Sequence, residues 1–128
     1  MRCNQIIVTL LMSSVSLCGY ATPLSDTLIK RYESISGQEA NAKSGETFWN
    51  QDNNGRSCNS CHGSDVTQTG KHVKTKRVIK PLAPSVNAER LTDEHEIEKW
   101  FKRNCKWTVK RECTPSEKAD VLKWLSSQ

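Results

Sequence analysis

Cys58, Cys61 and His62, within Cys58-Asn59-Ser60-Cys61-His62, bring two thiols and an imidazole into one short turn. At this spacing the thiols can add across the two vinyl groups of a haem, and the imidazole then faces the iron as its fifth ligand. The spacing is specific because three groups must converge on one rigid macrocycle. Rival chemistries fit less well. Three such neighbours cannot easily all bind one tetrahedral zinc ion, and no second CxxC follows. A thioredoxin-like redox pair needs a βαβ context, which the sequence lacks. The motif occurs once. The reading is one covalent haem c, held by Cys58 and Cys61, with His62 as proximal ligand.

The sixth iron ligand is the next question. Electron-transfer cytochromes c commonly use methionine. Here the two methionines are Met1 and Met12, both inside an N-terminal leader, so counting excludes them. The remaining strong-field candidates are His72 and His95. His72 lies in a basic stretch, and His95 is flanked by Asp93, Glu94 and Glu96. Both read as solvated surface histidines, which leaves the sixth position empty or weakly held.

The leader is read from Arg2, the apolar run from Ile6 to Val15, and the small residues of Gly19-Tyr20-Ala21. These are the parts of a secretory signal peptide, expected to be cut after Ala21. The run is far shorter than the roughly 20 apolar residues of a membrane span. Residues 22–128 then form one mature domain, periplasmic and not inserted in a membrane. Cleavage removes Cys3 and Cys18 and leaves Cys58, Cys61, Cys105 and Cys113. The second pair lies in an exported protein, where disulfides persist. The formal charge of +5 falls to +4 without Arg2. That balance suits docking on an acidic partner. Without an aromatic-interleaved basic motif it does not indicate nucleic acid.

Helical periodicity supplies the frame. Leu24–Ile35 carries a stripe of Leu28, Ile29, Tyr32 and Ile35, ended by Gly37. Ala40–Gln51 is a second helix with Phe48 and Trp49, broken by Asp52-Asn53-Asn54-Gly55. A short turn carries the haem motif. Residues 63–90 read as a long loop, basic at Lys71, Lys74, Lys76, Arg77 and Lys80, of the kind that wraps a ligand. Within it, Pro81 is the candidate whose carbonyl accepts the proximal imidazole N–H. Thr92–Arg103 is a helix capped by Thr92, with Ile97, Trp100 and Phe101 as its buried stripe. Thr114-Pro115-Ser116-Glu117 is a capping box opening the last helix. Trp49, Trp100 and Trp124 read as core or haem-packing residues. No strand of useful length is expected, so the fold is all-α with about five short helices.

One further pattern is carried by ordered motifs along nearly the whole mature chain. These are Cys61-His62-Gly63, Asp65-Val66-Thr67, Lys80-Pro81-Leu82-Ala83-Pro84-Ser85, Arg103-Asn104-Cys105, and Cys113-Thr114-Pro115 with Glu117-Lys118-Ala119-Asp120. Together they resemble the Sphaeroides-haem-protein (SHP) group of monohaem cytochromes c. The resemblance implies a class I cytochrome c fold, Asn104 as the sixth ligand, and a Cys105–Cys113 disulfide. It implies that oxygen or nitric oxide binds when the weak amide ligand leaves on reduction. It also implies a dihaem cytochrome c as electron donor, with a membrane cytochrome b upstream. A monomeric gas-binding electron acceptor is the leading reading. A simple electron carrier, or the terminal component of an oxygen- or nitric-oxide-consuming chain, are the alternatives. No distal His/Arg pair typical of peroxidase chemistry can be placed, so a stand-alone enzyme is disfavoured.

Overall fold

The computed structural model describes residues 23–128. The expected leader, residues 1–21, and its cleavage site lie outside them. Five helices run in chain order as α1 (Pro23–Ser36), α2 (Ala42–Asn50), α3 (Asn59–His62), α4 (Glu94–Thr108) and α5 (Pro115–Ser126). A hairpin of two-residue strands, β1 (Gly70–Lys71) and β2 (Val78–Ile79), pairs Gly70 with Ile79 and Lys71 with Val78. The sequence did not announce it, since two residues carry no alternation to read.

α5 is the central element and packs on both α1 and α2. Ala119 and Leu122 meet Leu28, Ile29 and Tyr32 of α1 in one buried cluster. Val121, Trp124 and Leu125 meet Trp49 of α2, with Val66 and Ala83, in the other. Gly45 permits the α2–α5 approach: a Cβ there would lie 2.1 Å from the Asp120 carbonyl oxygen. Asp120 Oδ1 also accepts the Asn41 N–H at 2.6 Å, where α2 begins. The Thr114–Glu117 capping box closes the start of α5 with Pro115 in the first turn.

α1 ends where expected, at Gly37 in the left-handed region (φ +70°), with its N–H bonded to Glu33 O. Ile35 is 64% exposed, so the buried stripe stops one turn earlier than its periodicity predicts.

α4 departs most from expectation. Its N-cap is Asp93, whose side chain accepts the Glu96 N–H, and Thr92 instead bonds Glu89 O. It runs to Thr108 rather than Arg103, because Cys105 and Thr108 are buried and hold its last turn against the domain. Trp100 is 45% exposed rather than buried. Its indole donates to Glu96 Oε2 at 3.1 Å, and Lys99 and Arg103 lie over its ring. At about 100° per residue, Ile97, Phe101, Cys105 and Thr108 share one narrow face, and Trp100 points off its edge. Glu98, half-buried on the same helix, takes hydrogen bonds from Tyr32 of α1 and Lys118 of α5.

Candidate haem site

α3 is a single turn, and local bonds define it. The Ser57 N–H donates to Ser60 Oγ at 3.1 Å, while the buried Ser57 hydroxyl meets Ser60 and Asn59. Asn59 Nδ2 donates to Asn50 Oδ1 at 2.8 Å and ties the turn to the end of α2. Gly63, at φ +77°, ends it with an N–H to Asn59 O. Gly70 lies directly against its backbone: a Cβ there would stand 2.3 Å from Cys61 O and 2.8 Å from His62 Cα.

These bonds set His62 against the core. Its ring is 5.3 Å from Trp49, centroid to centroid, and Trp49 is 5.3 Å from Trp124. The Trp49 indole donates to Gly63 O at 3.0 Å and fixes that wall. Burial, with smaller repulsions from Arg90 and His72, lowers the His62 pKa to about 4. The imidazole is therefore neutral near pH 7, the form that ligates a metal. Its Nδ1 is buried and has no hydrogen-bond partner.

Cys58 and Cys61 are both unpaired thiols. Burial pushes Cys58 up to about 11, partly opposed by the neighbouring Thr108 hydroxyl. Two uncommitted thiols and a neutral imidazole with an orphaned nitrogen, all on one turn, fit a covalent haem. Among the described residues no three His, Cys, Asp or Glu side chains gather as a metal-ion site.

Thr108 brings α4 to the motif. Asn104 lies one turn before Thr108, on the same helix face, and is half-buried. It is not a helix cap: Val109 fills that position. The hydrogen bonds that fix α4 side chains run through Glu96, Glu98, Lys99 and Trp100, and none among the described residues engages the Asn104 amide. Immediately after it, Cys105 forms a disulfide with Cys113 across a Cα–Cα distance of 5.6 Å.

The two histidines lie at or near the surface, and Pro81 turns out differently. His95 is exposed on the first turn of α4. His72 is partly exposed, and its bonds to its own turn lie at the surface. Its Nδ1 accepts the N–H groups of Lys74 and Thr75 at 3.3 and 3.1 Å, so its hydrogen sits on Nε2 and neither nitrogen offers a free lone pair. The Pro81 carbonyl does not receive His62. It accepts Asn87 Nδ2 at 3.0 Å and Arg90 Nε at 2.9 Å, which uses both lone pairs. Thr108, Asn87 and Arg90 carried no sequence signal: their roles come from contacts between segments far apart in the chain.

A family model described as a domain of unknown function (DUF1924) matches residues 35–125. The cytochrome c-type protein SHP of Cereibacter sphaeroides is 40% identical over 128 residues, spanning 96% of this chain and 97% of that protein. The chain belongs to the SHP family of c-type cytochromes. The structure of oxidised SHP, described as an oxygen-binding cytochrome c, superposes with a TM-score of 0.78 at 41% identity, covering 86% of this chain and all of SHP. Oxidised cytochrome c″ of Methylophilus methylotrophus gives 0.70 at 31% identity, over 80% of this chain and 92% of that one. Its solution structure, which addresses haem-ligand detachment, gives 0.71 at 29% identity over 81% and 93%. The class I cytochrome c fold and the haem c cofactor follow from this membership.

Proposed function

We propose that the protein is a periplasmic electron acceptor that takes up oxygen or nitric oxide at its haem iron when Asn104 gives way on reduction. Cys58 and Cys61 attach the haem, His62 is the proximal ligand and Asn104 the distal one. Haem c supplies an iron that changes oxidation state and offers its sixth position to a gas.

The observation that carries this reading is the position of Asn104. It sits within α4, half-buried, with no hydrogen bond to its amide among the described residues, one turn from the Thr108 that neighbours Cys58. No methionine falls in residues 23–128, and His72 is committed to its own turn. An amide oxygen is a weak ligand, better suited to ferric than to ferrous iron. The oxygen binding ascribed to SHP, and the haem-ligand detachment studied in cytochrome c″, are consistent with such an exchange.

The exposed cations at Lys71, Lys74, Lys76, Arg77 and Lys80 support docking of an acidic electron donor, for which a dihaem cytochrome c fed by a membrane cytochrome b is the candidate. The working form is a monomer.

Spectra of oxidised and reduced protein, with and without carbon monoxide, test the reading. The reduced protein is expected to be high-spin and to shift on adding the gas. In Asn104→His the reduced form is expected to be low-spin and to resist it. A wild-type reduced form that is low-spin and ignores carbon monoxide would refute the assignment.

A further inference from the structure

α4, which carries Asn104, is held unlike the other long helices. α5 packs closely on α1 and α2, and among the described residues α4 has no comparable backbone contact with any element. Side chains attach it instead. Ile97 and Phe101 pack on the cluster of Leu28, Ile29 and Leu122. Glu94 pairs with Arg31 at 2.5 Å, with both side chains nearly half exposed. Cys105 is bridged to Cys113. A further attachment is Glu98, where three helices meet. Its Oε1 accepts the hydroxyl of Tyr32, a residue only 4% exposed, and its Oε2 accepts Lys118 Nζ at 2.8 Å. Lys118 Nζ also lies over the rings of Tyr32 and Phe101, at 5.2 and 5.7 Å. Both carboxylate oxygens are thus taken, one by α1 and one by α5.

These attachments differ in what they resist. Apolar contacts are non-directional, so Ile97 and Phe101 permit α4 to roll about its own axis. The disulfide tethers one point, which opposes sliding more than rolling. An exposed ion pair is weak. The Glu98 bonds are directional and partly shielded from water, so they set the roll. Roll is the motion to which Asn104 responds. It lies six residues beyond Glu98, about 9 Å along the axis and about 120° around it. The buried face of Ile97, Phe101, Cys105 and Thr108 runs between the two. A roll that frees Glu98 from one edge of that face therefore swings Asn104 at the other.

We propose that Glu98 is a positioning residue for Asn104: held by Tyr32 and Lys118, it fixes the roll of α4 and so keeps the Asn104 amide at the sixth position of the oxidised haem. This rests on Asn104 being the distal ligand, as proposed above. Glu98 acts through the helix rather than at the iron. Its removal weakens the hold of the amide and leaves Cys58, Cys61, His62 and Asn104 in the chain.

The experiment is optical titration of oxidised holoprotein with imidazole, which competes with the amide for ferric iron, in a cycle of Glu98→Ala, Asn104→Ala and the double variant. Glu98→Ala is expected to bind imidazole several-fold more tightly than wild type, and Asn104→Ala more tightly still. In the Asn104→Ala background, Glu98→Ala is expected to add nothing, since no amide remains to be positioned. Arg31→Gln breaks the exposed pair to Glu94 on the same helix and is expected to bind imidazole like wild type. Glu98→Ala at wild-type affinity, with Asn104→Ala tightened, overturns the proposal. So does a Glu98 effect that persists undiminished without Asn104, or an Arg31→Gln gain equal to that of Glu98→Ala. Asn104→Ala at wild-type affinity instead refutes Asn104 as the distal ligand, and the positioning role falls with it. If Glu98→Ala does not accumulate as holoprotein, Tyr32→Phe removes one of the two bonds at nearly constant shape. That variant is expected to bind imidazole more tightly than wild type, and an unchanged affinity overturns the proposal.

Discussion

Replacing both disulfide cysteines, as Cys105→Ala with Cys113→Ala, tests how the segment bearing Asn104 is held. The bridge spans a sequence separation of eight. Closing so short a loop removes enough unfolded-state entropy to stabilise the fold by about 2.5 kcal/mol. Both cysteines are buried, at 5% and 7% exposure, so alanine avoids leaving an unsatisfied hydroxyl and adds only a small gap. The expected loss is about 2.5–3 kcal/mol, close to a hundredfold in the folding equilibrium. Urea unfolding of the oxidised holoprotein, followed at the Soret band and by far-ultraviolet circular dichroism, measures it as a lower midpoint. A functional consequence should accompany it. Asn104 is adjacent to Cys105, so a freed last turn of α4 holds the amide less firmly in place. The oxidised haem then has a weaker sixth ligand, and the oxidised variant should bind added imidazole several-fold more tightly. A loss below about 0.5 kcal/mol, together with unchanged imidazole affinity of the oxidised form, would refute the claim that the bridge holds the turn bearing Asn104.

Gly70→Ala should cost about 1–3 kcal/mol in urea unfolding, since its methyl group would meet the immovable backbone of Cys61 and His62, and the visible spectrum should change with it. Trp124→Ala is expected to cost about 3–5 kcal/mol and Trp100→Ala under about 1 kcal/mol, because Trp124 is buried and Trp100 is not; thermal denaturation of the two variants would separate them. The Arg111 guanidinium, aided by the Thr114 N–H, holds the Glu117 carboxyl below its usual range against the opposing effect of burial. A depressed carboxylate pKa gives stability that is complete above the unfolded value of 4.5 and lost as pH falls through the folded one. Glu117→Gln should therefore flatten stability against pH below about 4.5, and denaturation midpoints across that range check it.

Much of the fold was legible because its signals are local. The Thr114–Glu117 box, the Gly37 stop and the Leu28-Ile29-Tyr32 stripe each depend on neighbours within a turn or two. The Cys58–His62 motif was legible for the same reason. α4 was misread at its end because Lys102 and Arg103 look like last-turn cations, whereas burial of Cys105 and Thr108 decides where it stops. Trp100 was misread because spacings of three and four were treated as one stripe, although they fall on opposite sides of the face set by Ile97. The acceptors of Pro81 and the committed Nδ1 of His72 depend on bonds that only the folded loop creates. Asn104 became readable through family pattern alone, since an asparagine in a helix has no distinctive spacing.

The close approach of Gly70 to α3 also bears on the order of events in making the protein. In the folded chain the β1 backbone lies against Cys61 and His62, and Cys58 is packed against the Trp49 cluster with its thiol pushed up to about 11. At neutral pH such a thiol is almost wholly protonated, and the thiolate is the reactive form. A polypeptide that folded first would therefore be a poor substrate for its own maturation. If attachment needs the thiolate, it precedes folding, and the hairpin closes over the motif afterwards, making the attachment a one-time event in the life of the molecule.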